Sequence, residues 1–271
     1  MEEDLKVGEW PEWEYFDEVN NLLVQLIGPA READSAKIGV LYPFLDSIKE
    51  SSVSLALLVR RQALRDSYVI ARVIYETAIN ACFLLTDTTR LSERARIHAG
   101  QKTLRSLMRQ IEIAGTKVFE FKHQSTDVLM QRPTHKKWIE EFTSKSGREI
   151  TSWTPETVQQ RLEAIYLMFG EESTKGLAFG LLLYRHASEI AHGTLYGTLF
   201  SWGAMEPERP LKSPEDLGTF RKAELRHLLK LVCFTLESLI RVVSKPLGVP
   251  QLGVSAKDSL DKYYKGRSIQ A

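Results

Sequence analysis

Cysteine is nearly absent: the chain holds two, Cys82 and Cys233. Each sits in an apolar helical pattern. They read as buried free thiols in a reducing, cytoplasmic setting, and they are too few to build a structural zinc site alone. No run approaches the roughly 18 apolar residues of a membrane span, so no membrane partner is expected. Charge of one sign is also missing. Lys plus Arg is 36 and Asp plus Glu is 35, a net charge of +1. That balance excludes a global electrostatic pull toward nucleic acid and leaves only local patches. The opening stretch MEEDLKVGEWPEWEYF is acidic and aromatic, unlike a signal or transit peptide. No Gly-x-Ser-x-Gly, Gly-x-x-x-x-Gly-Lys or Gly-x-Gly-x-x-Gly occurs, so serine-hydrolase, phosphate-loop and dinucleotide chemistry find no support. No segment alternates over a strand length, and no repeat or low-complexity tract is visible.

What is present is helical periodicity. Residues 13–27 form an amphipathic pattern stopped by Gly28-Pro29. Ser35 is placed to cap a second helix, which Pro43 should kink, and 52–64 makes a third. A long helix is expected from about Asp66 to Leu85, and another over 90–114. Residues 116–153 are mixed and polar. Thr154-Pro155-Glu156 is a helix start, and a helix from about Glu172 to Leu199 follows. After the loop SWGAMEPERPLK, Ser213-Pro214-Glu215-Asp216 begins a long helix to about Ser244. The fold predicted is all-α, a single bundle of six to nine helices with an irregular arm near 116–153. Residues 1–34 pack an N-terminal helix on the core, 35–248 form the core, and 249–271 are a polar tail of one or two helical turns.

The stretch YRHASEIAHGT (184–194) breaks the pattern. With Arg185 at zero and about 100° per residue, His192 and Tyr196 lie about 20° away, Glu189 about 40° and Ser188 about 60°. His186 points about a quarter turn round. Ala178, Leu181 and Leu182 precede this island on its face, and Leu199 and Phe200 follow it. Leu183, Ala187, Ile190 and Thr194 lie opposite. A helix apolar nearly all round is buried, and buried charges need partners. Residues 67–85 hold a second island, Arg72 and Glu76, with Asn80 at its edge. The two islands are expected to meet within about 4 Å, a salt-bridge distance. A purely structural network of i,i+4 ion pairs would have the same spacing.

Two chemistries fit the island. Glu189-Ile-Ala-His192 and Glu224-Leu-Arg-His227 both have the Glu-x-x-His spacing of carboxylate-bridged di-metal bundles, although a second lone Glu is missing and two arginines would repel a dication. An arginine and a histidine on one helical face also suit metal-independent cleavage of RNA. The ribose hydroxyl is then the nucleophile, histidine exchanges the proton, and arginine grips the phosphate.

Arg185, six residues and His192 resemble the Arg-x(4–6)-His signature of HEPN-type helical ribonucleases. Arg72 and Glu76, followed by Tyr184, Ser188, His192 and Gly193, resemble the uncharacterised bacterial helical family numbered 5677, over roughly residues 40–245. The HEPN resemblance implies a metal-independent endoribonuclease, a toxin or antiviral defence effector, with Arg185, His192, Glu76 and Arg72 as the catalytic set. Tyr184, His186, Ser188, Glu189, Tyr196 and Asn80 would support them. It also implies a homodimer with RNA, tRNA included, as substrate and no cofactor. The alternative is a non-catalytic helical sensor or scaffold that binds a small anionic ligand or a partner protein in the cluster. Basic sets at Arg60, Arg61 and Arg65, at Lys102, Arg105 and Arg109, and at His135, Lys136 and Lys137 are candidate RNA contacts, or simply solvated helix faces.

Overall fold

The computed structural model of the chain describes residues 6–33, 38–203 and 213–268. Among these residues are eleven α-helices and one two-stranded hairpin, an all-α fold. Among them, no helix is long and apolar enough to cross a membrane. The chain divides into two compact units, one formed by residues 1–86 with 157–271 and the other by 87–156.

In the larger unit, α1 (Pro11–Glu32), α2 (Leu41–Arg60) and α3 (Leu64–Leu84) are followed by α7 (Val158–Phe169), α8 (Glu171–Ala191), α9 (Leu195–Ser201), α10 (Pro214–Ser244) and α11 (Pro250–Ser268). α10 is its axis: every residue from Leu231 to Ile240 is buried, and α1, α3, α8 and α11 all pack on it. Its start is capped as the sequence predicts, with the Ser213 hydroxyl accepting from the Asp216 amide at 3.1 Å. α8 approaches α10 and α3 closely because Gly176 and Gly180 lie on its inner face. A Cβ at Gly176 would stand 1.9 Å from the Phe234 carbonyl oxygen, and one at Gly180 2.4 Å from the Tyr75 ring. The Gly176 amide also donates to the Ser238 hydroxyl at 3.0 Å, and the Tyr75 hydroxyl to the Leu177 carbonyl at 3.0 Å.

Several expected boundaries move. α1 continues one turn past Gly28-Pro29, closing with the Ala33 amide on the Pro29 carbonyl at 3.0 Å. Pro43 causes no break, because it falls in the first turn of α2, where its missing N–H has no helical partner to lose. The two helices expected over 36–64 are therefore one helix in the described part, and the Ser35 cap lies outside the described residues. α7 starts after Thr157, which forms a capping box with Gln160, so the start moves three residues from Thr154. The supposed C-terminal tail is the helix α11, docked on α1 and α10. Its Ala256 and Tyr263 are buried, seven residues apart on one face.

The smaller unit holds α4 (Thr88–Ser106), the hairpin β1 (Met108–Ile113) and β2 (Thr116–Lys122), α5 (Thr126–Met130) and α6 (Pro133–Glu141). The hairpin replaces the last turns of the helix expected to 114. Ala114 and Gly115, both at positive φ, make its two-residue turn. Both strands are almost wholly exposed. The core of this unit is Phe142, fully buried, with the Arg94 guanidinium 4.8 Å from its ring centre and His98 edge-on to it. Arg105 binds the Gln101 amide oxygen and the Thr143 hydroxyl, each at 2.7 Å.

Candidate functional site

α8 carries Arg185, Glu189 and His192 on its outer face, and all three are exposed. Among the described residues no ion pair or hydrogen bond reaches their side chains; the Thr194 hydroxyl donates only to the Glu189 backbone carbonyl, at 3.1 Å. This corrects the reading of a buried island. The face that α8 buries is the opposite one, Leu183, Ala187 and Ile190 in line with Gly176 and Gly180. The glycines decide the rotation, because only their side permits backbone-to-backbone approach to α10. Leu182, which also borders the cleft on the His186 flank, and Leu195, the first residue of α9, are 63% and 72% exposed.

α3 does pack on α8, but its island meets different residues from those expected. Arg72 pairs with Glu76 at 3.2 Å, and the side chains are 18% and 36% exposed, so the pair is half-solvated. The Arg72 guanidinium lies 5.2 Å from the centre of the half-buried Tyr184 ring. Neither Arg72 nor Glu76 is paired with Arg185, Glu189 or His192. Asn80 receives a hydrogen bond from Arg161 of α7. Ser188 is half-buried on the flank between Tyr184 and the exposed ridge.

His192 caps the C-terminus of α8, and Gly193 at φ +65° turns the chain. Thr194 then caps α9, its hydroxyl accepting from the Gly197 amide at 3.2 Å. The single helix expected to Leu199 therefore breaks. Ten residues of straight helix would separate Tyr196 from His186 by about 15 Å. The turn instead returns the Tyr196 hydroxyl to 2.9 Å from His186 Nδ1. Tyr196 thus leaves the Arg185 face and joins a cluster on the other flank of α8.

That cluster lines an open cleft of about 270 Å³ between α3, α8, α9 and α10. His186 is half-buried, with Phe200, Tyr68 and Tyr196 edge-on to its ring at 4.2, 5.1 and 5.4 Å. The Tyr68 hydroxyl donates to Glu224 Oε2 at 2.9 Å. His227, one turn beyond Glu224, stands at the rim. Burial lowers the His186 pKa below the ordinary 6.5; Glu224 opposes the shift and His227 reinforces it. His227 is lowered too, by burial and then by Lys230. Burial and the Glu224 carboxylate push the Tyr68 hydroxyl up, and burial followed by Glu224 and Glu189 raises Tyr196. The cleft therefore pairs a carboxylate acceptor with uncharged rings. His186, Tyr196, Glu224 and His227 stand out in the sequence in separate contexts, and nothing in the sequence marks Tyr68 and Phe200 as members.

The two Glu-x-x-His pairs do not converge. Among the described residues no group of three or more His, Cys, Asp and Glu side chains could hold a metal ion. Several candidate RNA contacts have structural roles. Arg60 lies over Trp13 at 4.9 Å, Lys102 pairs with Glu149, Arg105 ties α4 to the Phe142 loop, and His135 Nδ1 lies 2.9 Å from the Leu129 carbonyl.

An all-helical bundle with an exposed Arg–His ridge on one side of α8 and an aromatic, carboxylate-bearing cleft on the other defines the molecule. The chain belongs to the family of unknown function DUF5677, whose sequence profile matches residues 40–206. No curated protein and no solved structure matches it.

Proposed function

We propose that the chain is a metal-independent, HEPN-like endoribonuclease that cuts with Arg185 and His192, as a toxin or defence effector. The observation that carries this reading is that both side chains are exposed and free of side-chain partners on one face of α8. A substrate can reach them, and neither is committed to holding the fold. They stand two helical turns apart, about 10 Å of rise. One protomer thus presents its phosphate grip and its proton-exchanging ring at different heights. Two copies of α8 side by side bring an arginine and a histidine to one phosphate, and the exposed Leu182 and Leu195 supply apolar contacts for that pairing.

In the reaction, the 2′-hydroxyl attacks the adjacent phosphorus while His192 takes its proton. The bond to the 5′-oxygen breaks, and His192 hands the proton it took on to that oxygen, so the histidine ends neutral and no net proton is gained or lost. Arg185 stabilises the charge on the non-bridging oxygens with its planar fork.

The test incubates the purified chain with total RNA and with tRNA. Cleavage to 2′,3′-cyclic phosphate and 5′-hydroxyl ends is expected, unaffected by EDTA and abolished by His192→Ala with the helical content kept. Arg185→Lys should lose most of the rate, because an ammonium lacks the bidentate fork. Cleavage that survives His192→Ala overturns the assignment. Failure to cut either RNA favours a non-catalytic binding module.

A further inference from the structure

We infer that the cleft formed by Tyr68, His186, Tyr196, Phe200, Glu224 and His227 is a nucleobase site that selects guanine. Its volume of about 270 Å³ lies just below the range of drug-sized pockets and suits a single planar ring system. Tyr68 and Phe200 are buried in its floor, and the rings a ligand can reach are those of Tyr196, His186 and His227, beside the exposed Leu182; bases displayed outside a duplex are held by stacking on such side chains. Among its polar groups, which include the Tyr196 hydroxyl and the His186 and His227 rings, one is a carboxylate. Glu224 accepts from the Tyr68 hydroxyl on Oε2 only, at 2.9 Å. An ionised carboxylate has about four acceptor positions, so Oε1 and the remaining position on Oε2 are open to a ligand.

The Watson–Crick edge of guanine carries two adjacent donors, N1–H and the exocyclic amine, which match the two oxygens of a carboxylate. The matching edges of adenine and cytosine place an acceptor beside their amine, and uracil flanks its single N–H with two carbonyls. Each of these three turns a lone pair toward Glu224. The protein side of the cleft adds no competing cation at His186, which burial keeps neutral. An organic ammonium is the competing ligand class. Cation recognition wants ring faces turned on a common centre. Here Tyr68 and Phe200 are buried, and Tyr196 is the one exposed Phe, Tyr or Trp ring in the lining, so no cage of faces is on offer.

The inference stands on the cleft and does not need the cleavage reading. It is therefore tested by binding, in the full chain carrying His192→Ala, with guanosine and the four nucleoside 5′-monophosphates titrated by calorimetry. Guanosine and its monophosphate should bind, and adenosine, cytidine and uridine monophosphates should bind about tenfold more weakly or worse. Glu224→Gln keeps an acceptor for Tyr68 but loses one for the base. It should weaken guanosine by about tenfold or more while the melting temperature and helical content stay near those of the parent. Equal binding of all four nucleotides, or guanosine binding unchanged in Glu224→Gln, overturns the proposal. So does displacement of guanosine by tetramethylammonium. Binding of the monophosphate without binding of guanosine also overturns it, since that would mark a phosphate site.

Discussion

Replacing Gly176 by alanine tests how α8 is held. On helix propensity alone the change should stabilise the chain by about 1 kcal/mol. The seam reverses the sign. The new methyl would lie 1.9 Å from the Phe234 carbonyl oxygen and 2.6 Å from the Ser238 hydroxyl, and reaching ordinary contact means opening the first gap to at least 3.4 Å. The nearest obstacle is backbone, which no side-chain rotation relieves. Helix α8 must therefore shift away from α10, straining the bond from the Gly176 amide to Ser238. Overpacking of this kind costs about 1–3 kcal/mol and a disturbed buried hydrogen bond about 1 more, so the net effect is a loss of about 2 kcal/mol. Gly218 in α10 is the control: a Cβ there meets nothing within 4 Å, and Gly218→Ala should gain about 0.5–1 kcal/mol. Urea unfolding followed by far-ultraviolet circular dichroism reads both. The reasoning is refuted if Gly176→Ala unfolds at the same or a higher midpoint than the parent chain.

Other outcomes follow from the polar groups. Glu12 is 2% exposed and accepts from Arg226 Nε at 2.9 Å and from the Tyr263 hydroxyl at 3.2 Å. Glu12→Ala should therefore cost about 2 kcal/mol or more in the same unfolding assay. Glu76→Ala should cost about 1 kcal/mol or less, because the Arg72–Glu76 pair is half-solvated; a larger loss would mean that the pair is buried in the working assembly. His186 is neutral in the fold with a lowered pKa, so the unfolded chain binds its proton more readily. Its contribution is present above the ordinary value of 6.5 and is lost as pH falls through it. The gap in stability between the parent and His186→Gln should narrow from about pH 7.5 to about pH 5.5, and a constant gap would contradict the burial described.

The long helices were readable because their apolar residues recur at helical spacing over many turns: α3 and α10 fall within two residues of their expected bounds. The hairpin was not. Its strands, MRQIEI and TKVFEFK, break alternation at Arg-Gln and Val-Phe, join through Ala-Gly and bury almost nothing, so no period-2 pattern marks them. α11 reads as a tail because its polar composition hides the two side chains, Ala256 and Tyr263, that dock it. The outer residues of α8 stand out in its sequence, but their facing does not. A search for an apolar stripe gives no weight to Gly176 and Gly180, yet these set which side of α8 approaches its neighbours. The cleft was beyond reach for another reason. Its central contact joins Tyr68 to Glu224 across 156 positions of sequence, and its Tyr196–His186 contact needs the turn at Gly193.

Arg185 and His186 are adjacent in sequence yet serve opposite flanks, and α8 has a fixed rotational phase set at Gly176 and Gly180. A one-residue deletion between Gly180 and Arg185 would turn everything downstream by about 100°. His186 would then occupy the place of Arg185 on the ridge, and Ala187 would face the cleft. A one-residue insertion would instead drive Arg185 toward Glu224. A substitution within 181–192 alters one surface or the core at one point, but a change in the length of the segment turns both surfaces at once, and descent with insertions would have to spare both or lose them together.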